Sequence, residues 1–455
     1  MKVIAIFDIG KTNKKLFLFD EHYKIVREQA DCFKETMDDE GHACEDLDLL
    51  TGWVRDCIAG LHSHREFEVR AINFSAYGAS FVHIGQDGAP VAPLYNYLKP
   101  YPAELRKKFY DSYGGEITFS MLTASPVLGS LNSGMQLYRI KEQRPELFDQ
   151  ISCSLHLPQY CSYLLTGQQY SDITSIGCHT NLWNFSQHNY HEWVYREGII
   201  EKLSPILPSV SVVPVKGPGG DLVAGIGLHD SSSAMIPYLE SFQEPFVLIS
   251  TGTWCISMNP FNDTPLTVAE LQQDCLCYCS YQGRPVKASR LFAGYEHEQQ
   301  VKRLAAHFHK TVPYAATIGY EPDIVSFLHN SGEGPSGSRA EGSALVTASV
   351  FAQRELADYE TFEQAYHRLI MDIMEQQVAS TRLVLHGTEV KRIFVDGGFG
   401  RNQVYMHLLA AAFPNIEVFA ASISQATAMG AALAIHPHWN SRTLPGDIIE
   451  LKYYK

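Results

Sequence analysis

The feature that most constrains this chain is residues 3–20, which read VIAIFDIGKTNKKLFLFD. An apolar run meets a polar turn holding Asp8, Gly10, Thr12 and Asn13, and a second apolar run follows at once. Two β-type runs joined by a short polar turn predict a hairpin. The turn carries more than a hairpin needs: a carboxylate at the strand end, a glycine, a hydroxyl, an amide and three lysines, Lys11, Lys14 and Lys15. Gly10 lets the backbone approach a ligand closely. Thr12, Asn13 and free N–H groups can hydrogen-bond oxyanions, and a lysine supplies positive charge. Asp8 cannot bind phosphate, but it can hold Mg²⁺ or its water shell beside one. The functional reading is a nucleotide-phosphate clamp. The plain alternative is an ordinary hairpin with a charged turn.

The design recurs at residues 247–258, VLISTGTWCISM, where Ser250, Thr251, Gly252 and Thr253 separate two apolar runs. Two hairpins with a glycine flanked by hydroxyls, one opening each half, suggest an internal duplication that holds phosphate between two lobes. A length of 455 residues accommodates two or three domains. The Pro/Gly loop at 214–220 is the preferred boundary, giving domains 1–219 and 220–455.

Between the hairpins, residues 69–74 predict a buried strand that ends at Ser75 and leads into SAYGAS, residues 75–80. Strand C-terminal ends in α/β folds are where ligands sit. Residues 29–48 read as polar and irregular, 47–64 as a helix, 81–84 as a strand and 90–102 as a Pro- and Tyr-rich connection. Helical patterns follow at 135–140, at 160–165 closed by Gly167, and at 193–207 closed by Pro208, with a strand at 210–215. In GIGLHDSSSAMIP, residues 225–237, Asp230 stands at a helix N-terminus, where a carboxylate is stabilised. On its own it reads first as an N-cap.

In the second half, residues 288–309 look helical after Gly294, 331–343 form a Gly/Ser-rich loop, and 361–385 give the clearest amphipathic helix. Residues 391–413, KRIFVDGGFGRNQVYMHLLAAAF, predict strand, glycine turn and helix. Such a turn suits the close approach of a nucleotide. It lacks the dinucleotide fingerprint, which disfavours a dehydrogenase. The small-residue helix at 424–435 is built for close packing against another backbone.

A formal charge of −14 argues against nucleic acid or an anionic membrane as a general partner. No signal-peptide pattern and no run of about 18 apolar residues is visible, so a cytoplasmic protein without a membrane span is expected. Ten cysteines are scattered, and that compartment disfavours disulfides. Cys275, Cys277 and Cys279 alternate, which is not zinc-knuckle spacing, and they are expected to be buried thiols. His62 and His64 are expected at the surface. The acidic run at 38–40, with Glu35 nearby, is expected to be a solvated loop.

With DIGKTN, GLHDSSSA, STGTW, DGGFGRN and ATAMGAALA in that order, the chain resembles the FGGY family of carbohydrate kinases, nearest to rhamnulokinases and L-fuculokinases. The resemblance implies an α/β, duplicated actin/hexokinase-like (ribonuclease H-like) ATPase fold, two lobes with a central cleft. It implies ATP and Mg²⁺ as cofactors and a sugar as substrate, and leaves a homodimer open. Asp8 would organise the metal, and Gly10, Lys11, Thr12, Asn13 and Lys15 would face the phosphates. Tyr77, Gly78, Ser80 and His229 would touch the sugar, and Asp230 would be the general base. Thr251, Gly252 and Thr253 would bind phosphates from the second lobe. Gly397, Gly398, Gly400 and Asn402 would cradle adenosine, with Gln299 helping to hold the nucleotide.

The pattern departs from the resemblance in places. Ser80 stands where rhamnulokinases usually carry an aspartate, Ala76 and Ala79 are small, and Lys11 replaces a small residue or threonine. The expected activity is ATP-dependent phosphorylation of a ketose or deoxyketose such as L-rhamnulose or L-fuculose, at its first carbon. The alternatives are xylulose, ribulose or a polyol as acceptor, or a nucleotide-binding regulator without turnover.

Overall fold

The computed structural model describes residues 1–61, 66–217, 220–330, 349–423 and 425–455. The expectations for His62, His64 and the 331–343 loop lie outside the described residues. The chain divides into two compact units. The first comprises Met1–Ser241, Cys277–Pro285 and Ser424–Ile448, and the second Phe242–Leu276, Val286–Ile423 and Ile449–Lys455.

The first unit is built on the opening hairpin. Strands β1 (Lys2–Ile9) and β2 (Asn13–Asp20) pair antiparallel, with Asp8 opposite Lys15 and Ile9 opposite Lys14. Strand β3 (Ile25–Cys32) extends the sheet antiparallel to β2, so part of the stretch read as irregular is a strand. Its exposed, charged residues mark it as an edge, which removes the alternating apolar signal. On the other side β1 pairs in parallel with β4 (Glu68–Ala76). β5 (Val212–Gly217), β6 (Gly220–Gly225) and the short β7 (Leu228–His229) complete the sheet, in the order β5-β6-β4-β1-β2-β3, with β7 also on β4. Val3, Ala5, Phe7, Leu16, Leu18 and Phe74 are buried together with Leu50 and Val54 of helix α1 (Leu47–Leu61). Ile4 and Ile6 of β1 are equally buried. Burial of both faces explains why β1 reads as an unbroken apolar run.

The expected boundary at 219/220 is corrected. The loop at 214–220 belongs to the β5–β6 hairpin of the first unit, residues 218–219 being outside the described residues. β6 pairs with β4, and helix α2 (Asp230–Ser241) packs on the helix Ala426–Ala434, so residues 220–241 stay with the first sheet. The helix read at 193–207 is also corrected. Only Glu192–Arg196 is α-helical, because Gly198 adopts a φ of +68° and starts a short 3₁₀ turn, Ile199–Lys202.

The second unit repeats the plan. β8 (Phe246–Thr251) and β9 (Cys255–Asn259) form a hairpin, and β10 (Cys275–Cys279) and β11 (Pro285–Leu291) extend it. β8 pairs in parallel with β12 (Arg392–Gly397), β12 in parallel with β13 (Glu417–Ser422), and β14 (Glu450–Tyr454) closes the edge antiparallel. The order is β10-β11-β9-β8-β12-β13-β14. In both sheets the first strand of the hairpin is central, with its antiparallel partner on one side and a later parallel strand on the other. Residues 288–291 are thus strand, and the helix there, α3, is Ala293–His307. The long helix α4 (Phe362–Leu385) and α5 (Gln403–Ala412) contribute Phe362, Leu369, Val404 and Leu409 to the core. Cys275, Cys277 and Cys279 are buried, as are all the other cysteines except the exposed Cys32. Among the described residues no helix is long and apolar enough to cross a membrane.

The small-residue helix Ala426–Ala434 lies close against α2: a Cβ built on Gly430 would sit 1.8 Å from the carbonyl oxygen of Ser233. A mid-helix glycine-to-alanine change ordinarily stabilises by about 1 kcal/mol. Here backbone must move instead. Gly430→Ala is expected to destabilise the chain by about 1–3 kcal/mol, read as a lower urea midpoint with an unchanged slope.

Candidate active site

Three strands converge on one end of the first sheet. β4 lies between β1 and β7, both parallel to it. Asp8 is therefore opposite Ser75, and both Ile9 and His229 are opposite Ala76. Asp230 follows as the first residue of α2. Asp8, the 75–80 loop and His229–Asp230 thus share the C-terminal end of parallel strands.

Asp8 is half-buried. Burial, and after it the Asp230 carboxylate, push its carboxyl up to about 7 against the opposing pull of Lys15. Asp230 Oδ1 accepts from Ser231 N at 2.6 Å and lies 3.2 Å from His229 Nε2. Burial lowers the His229 pKa, although Asp230 works to raise it, and Nδ1 of this ring is buried without a hydrogen-bond partner. His229 Nε2 is also 3.5 Å from Cys178 Sγ, and its backbone N–H donates to Thr174 Oγ1 at 2.9 Å. Gly78 is required by contact: a Cβ there would lie 2.8 Å from His229 Cδ2 and Nε2.

The other residues of the 75–80 loop differ from expectation in what they touch. The Tyr77 hydroxyl donates to Glu45 Oε2 at 2.6 Å, inside the protein. Ser80 is buried, and its carbonyl accepts from Leu157 N. Ala79 adopts a φ of +61°, and its carbonyl accepts from Gln136 Nε2 at 2.7 Å. Tyr97 is near enough that, after burial, the Asp230 charge raises its pKa. It came from a connection read only as able to line a pocket.

At the β1–β2 turn, Gly10 N donates to Asn13 O at 2.9 Å, and Thr12 and Asn13 are exposed. Lys11 and Lys15 are half-buried and pair with Glu35 and Glu28 at 3.0 and 3.3 Å. The expectation of a solvated loop at 38–40 holds for the exposed Asp39 and Glu40 and is corrected at Asp38. Asp38 is buried, and its carboxyl is lowered although burial opposes this, because Lys99 donates to it at 2.6 Å and backbone N–H groups of His42 and Glu40 add to the effect. Asp39 pairs with Arg144, and Glu40 with Lys99 and Arg139. These cations are distant in sequence, so the run read as solvated.

In the second unit Thr251 donates to Asp396 O at 2.6 Å and accepts from Phe399 N at 3.0 Å, so its hydroxyl joins hairpin to glycine turn. Gly252 and Thr253 are exposed at the tip. Gly397, at a φ of +93°, has no room for a Cβ, which would meet Thr251 O at 2.0 Å. Two cavities flank this turn. One of 360 Å³ is lined by Gly398, Asn402, His297, Tyr366, Val301 and Ala315, among others. Another of 400 Å³ takes Gly397 and Gly400 with residues of β13 and β14. The four expected adenosine residues are therefore divided between two cavities. Asn402 caps α5 by accepting from Tyr405 N and donates to the Tyr366 hydroxyl at 2.8 Å. Gln299 is half-buried on α3, and its neighbours His297, Glu298 and Val301 form the cavity wall.

Mg²⁺ fits what is present. A half-buried carboxylate raised by a second one is stabilised by a divalent cation. Among the described residues no group of three or more His, Cys, Asp or Glu could hold a metal alone. One or two carboxylates plus substrate phosphates is the usual Mg²⁺ arrangement.

The N-terminal domain profile of the FGGY family of carbohydrate kinases matches residues 3–215, and the FGGY carbohydrate kinase C-terminal domain profile matches residues 243–443. The chain belongs to the FGGY family. A rhamnulokinase from Mannheimia succiniciproducens is 26% identical over 279 residues, 58% of this chain and 55% of that protein. An L-fuculokinase from Escherichia coli K12 is 24% identical over 273 residues, 56% of each. The matches span little more than half the length of these curated relatives. A solved carbohydrate kinase from Novosphingobium aromaticivorans superposes with a TM-score of 0.80 at 22% identity, covering 99% of this chain and 96% of that one. A ligand-bound xylulose kinase from Lactobacillus acidophilus gives 0.79 at 17% identity, covering 100% and 94%. The fold is the duplicated α/β actin/hexokinase-like ATPase fold of these FGGY proteins.

Behind the 75–80 loop, His83 Nδ1 and Ser154 Oγ are 2.8 Å apart, and His156 Nε2 and Ser133 Oγ are 3.0 Å apart. Burial lowers His83 from 6.5 to about 4, and burial together with neighbouring histidines lowers His156 to about 3. Because the unfolded chain binds protons that the folded chain does not, each histidine contributes stability above pH 6.5 that is lost as pH falls toward its folded value. Urea unfolding at pH 7 and pH 5 is expected to show about 2 kcal/mol lost per histidine, and His83→Asn should remove its share of the slope.

Proposed function

We propose that this chain is an ATP-dependent sugar kinase that transfers the γ-phosphoryl group to a hydroxyl of a ketose or deoxyketose, of the L-rhamnulose or L-fuculose kind, giving the 1-phosphate. The observation that carries this is the meeting of Asp8, the 75–80 loop and His229–Asp230 at one end of three adjacent parallel strands. Curated relatives named rhamnulokinase and L-fuculokinase support the acceptor class.

In this reading Asp230 accepts the proton of the attacking hydroxyl. It stands at a helix N-terminus with Ser231 N–H on the oxygen facing His229, so its carboxylate is held in place. His229 and Gly78 bound the sugar, with the glycine leaving room for the imidazole. Within the first unit Gly10, Lys11, Thr12, Asn13 and Lys15 form a phosphate-binding turn, and within the second Gly252 and Thr253 form the corresponding turn. Gly398 and Asn402 bound the adenosine cavity. Mg²⁺, held at Asp8, supplies neutralisation of phosphate charge. Such transfers rely on positioning and charge neutralisation more than on covalent chemistry. Xylulose is the second acceptor reading, its support being the fold match to a solved xylulose kinase.

The test is ADP release from Mg·ATP across ketoses, aldoses and polyols. One sugar is expected to drive turnover, and Asp230→Asn to lower kcat by about 10²–10⁴-fold. Turnover undiminished in the variant would remove Asp230 as the base. Nucleotide binding without turnover on any sugar would favour a regulator.

A further inference from the structure

The phosphate turn and the 75–80 loop are joined by a buried charged chain. Lys14 is 1% exposed; its ammonium donates to the carbonyl of Lys11 at 3.1 Å and pairs with the carboxylate of Glu45, itself 4% exposed. Glu45 Oε2 accepts from the Tyr77 hydroxyl. A second tie runs through the backbone, where Tyr77 N donates to Ile9 O at 3.1 Å. From the turn, Lys11 Nζ returns over the Tyr77 and Tyr97 rings, 5.7 and 5.9 Å from their centroids. Tyr77 is thus attached to the turn at Ile9, at Lys14 through Glu45, and at Lys11 through its ring.

Burying a lysine and a glutamate costs several kcal/mol per ion before their attraction is counted, and an apolar pair of similar volume would often be no less stable. What the ion pair adds is a fixed geometry. Lys14 holds the Lys11 carbonyl, and with it the peptide plane that carries the Thr12 N–H. We propose that Lys14–Glu45–Tyr77 is a positioning device that ties the nucleotide-phosphate turn to the acceptor loop, so that Tyr77 acts on nucleotide affinity rather than as a ligand of the sugar. This rests on the phosphate role of residues 10–15 proposed above. By linkage, whatever orders the 75–80 loop also tightens nucleotide binding, and the reverse.

The first measurement needs no sugar. Binding of the magnesium complex of a β,γ-imido ATP analogue is measured by calorimetry on the full chain, unsubstituted and as Tyr77→Phe and Glu45→Gln. Neither residue faces the nucleotide, yet both variants are expected to bind it about fivefold or more weakly. The double variant Lys14→Met/Glu45→Gln removes both charges at similar volume. It provides the same comparison should Glu45→Gln, which leaves a buried cation unpaired, fail to fold. Affinities within twofold of the unsubstituted chain would overturn the tie. So would a raised sugar KM in Tyr77→Phe with nucleotide affinity unchanged, which is the signature of a sugar ligand. No binding by the unsubstituted chain would overturn the phosphate reading beneath it, and the tie with it.

Discussion

The proposed chemistry depends on the pairing of β4 with a parallel neighbour on each side. The β1 register puts Asp8 opposite Ser75, and the β7 register puts His229 opposite Ala76. A slip of one residue in either ladder would turn every side chain to the other face. The β7 register is guarded by side chains from around it. Asn73 Oδ1 accepts from Gly227 N, Gln159 donates to Gly227 O, Ser162 donates to Gly225 O, and Thr174 accepts from His229 N. Gly227, at a φ of +85°, presses so closely on Pro158 that a Cβ would lie 2.5 Å from its carbonyl oxygen. The short strand before Asp230 is thus positioned largely by side chains, since only two of its residues join the ladder.

What could be read from the sequence was local. Each hairpin, the strand before Ser75 and the glycine turn at 397–400 show their apolar runs and breakers within a dozen residues. The duplication could be inferred because two hairpins carry the same turn chemistry. The division into units could not. The first unit reclaims Cys277–Pro285 and Ser424–Ile448, and nothing in composition marks a segment that returns to an earlier core. The helix expected through residue 207 failed at Gly198, whose left-handed backbone outweighed the apolar spacing on either side.

The three lysines of the opening turn show the same limit. As sequence they are interchangeable positive charges. In the structure Lys14 is buried against Glu45, Lys15 stands opposite Asp8 on the neighbouring strand, and Lys11 lies over two tyrosine rings. Glu45 is 31 positions from Lys14 and sits in a stretch read as irregular, so neither periodicity nor spacing could pair them. The same non-local pairing engages the hydroxyl of Tyr77, the residue whose motif implied a sugar-facing role.

The two carboxylates at the strand ends are distinguished by what surrounds them. Asp230 opens a helix and receives a backbone N–H at 2.6 Å. Asp8 sits deeper, and burial together with the charge on Asp230 raises it. A carboxylate fixed in orientation by a backbone N–H is positioned to accept a proton. One whose charge is disfavoured is stabilised by a cation. The proposed roles, Asp230 as base and Asp8 as metal ligand, are consistent with the burial of Asp8. That burial also explains why Lys15 opposite Asp8 does not make a metal redundant. That lysine pairs with Glu28 at 3.3 Å, and Asp8 stays raised in its presence.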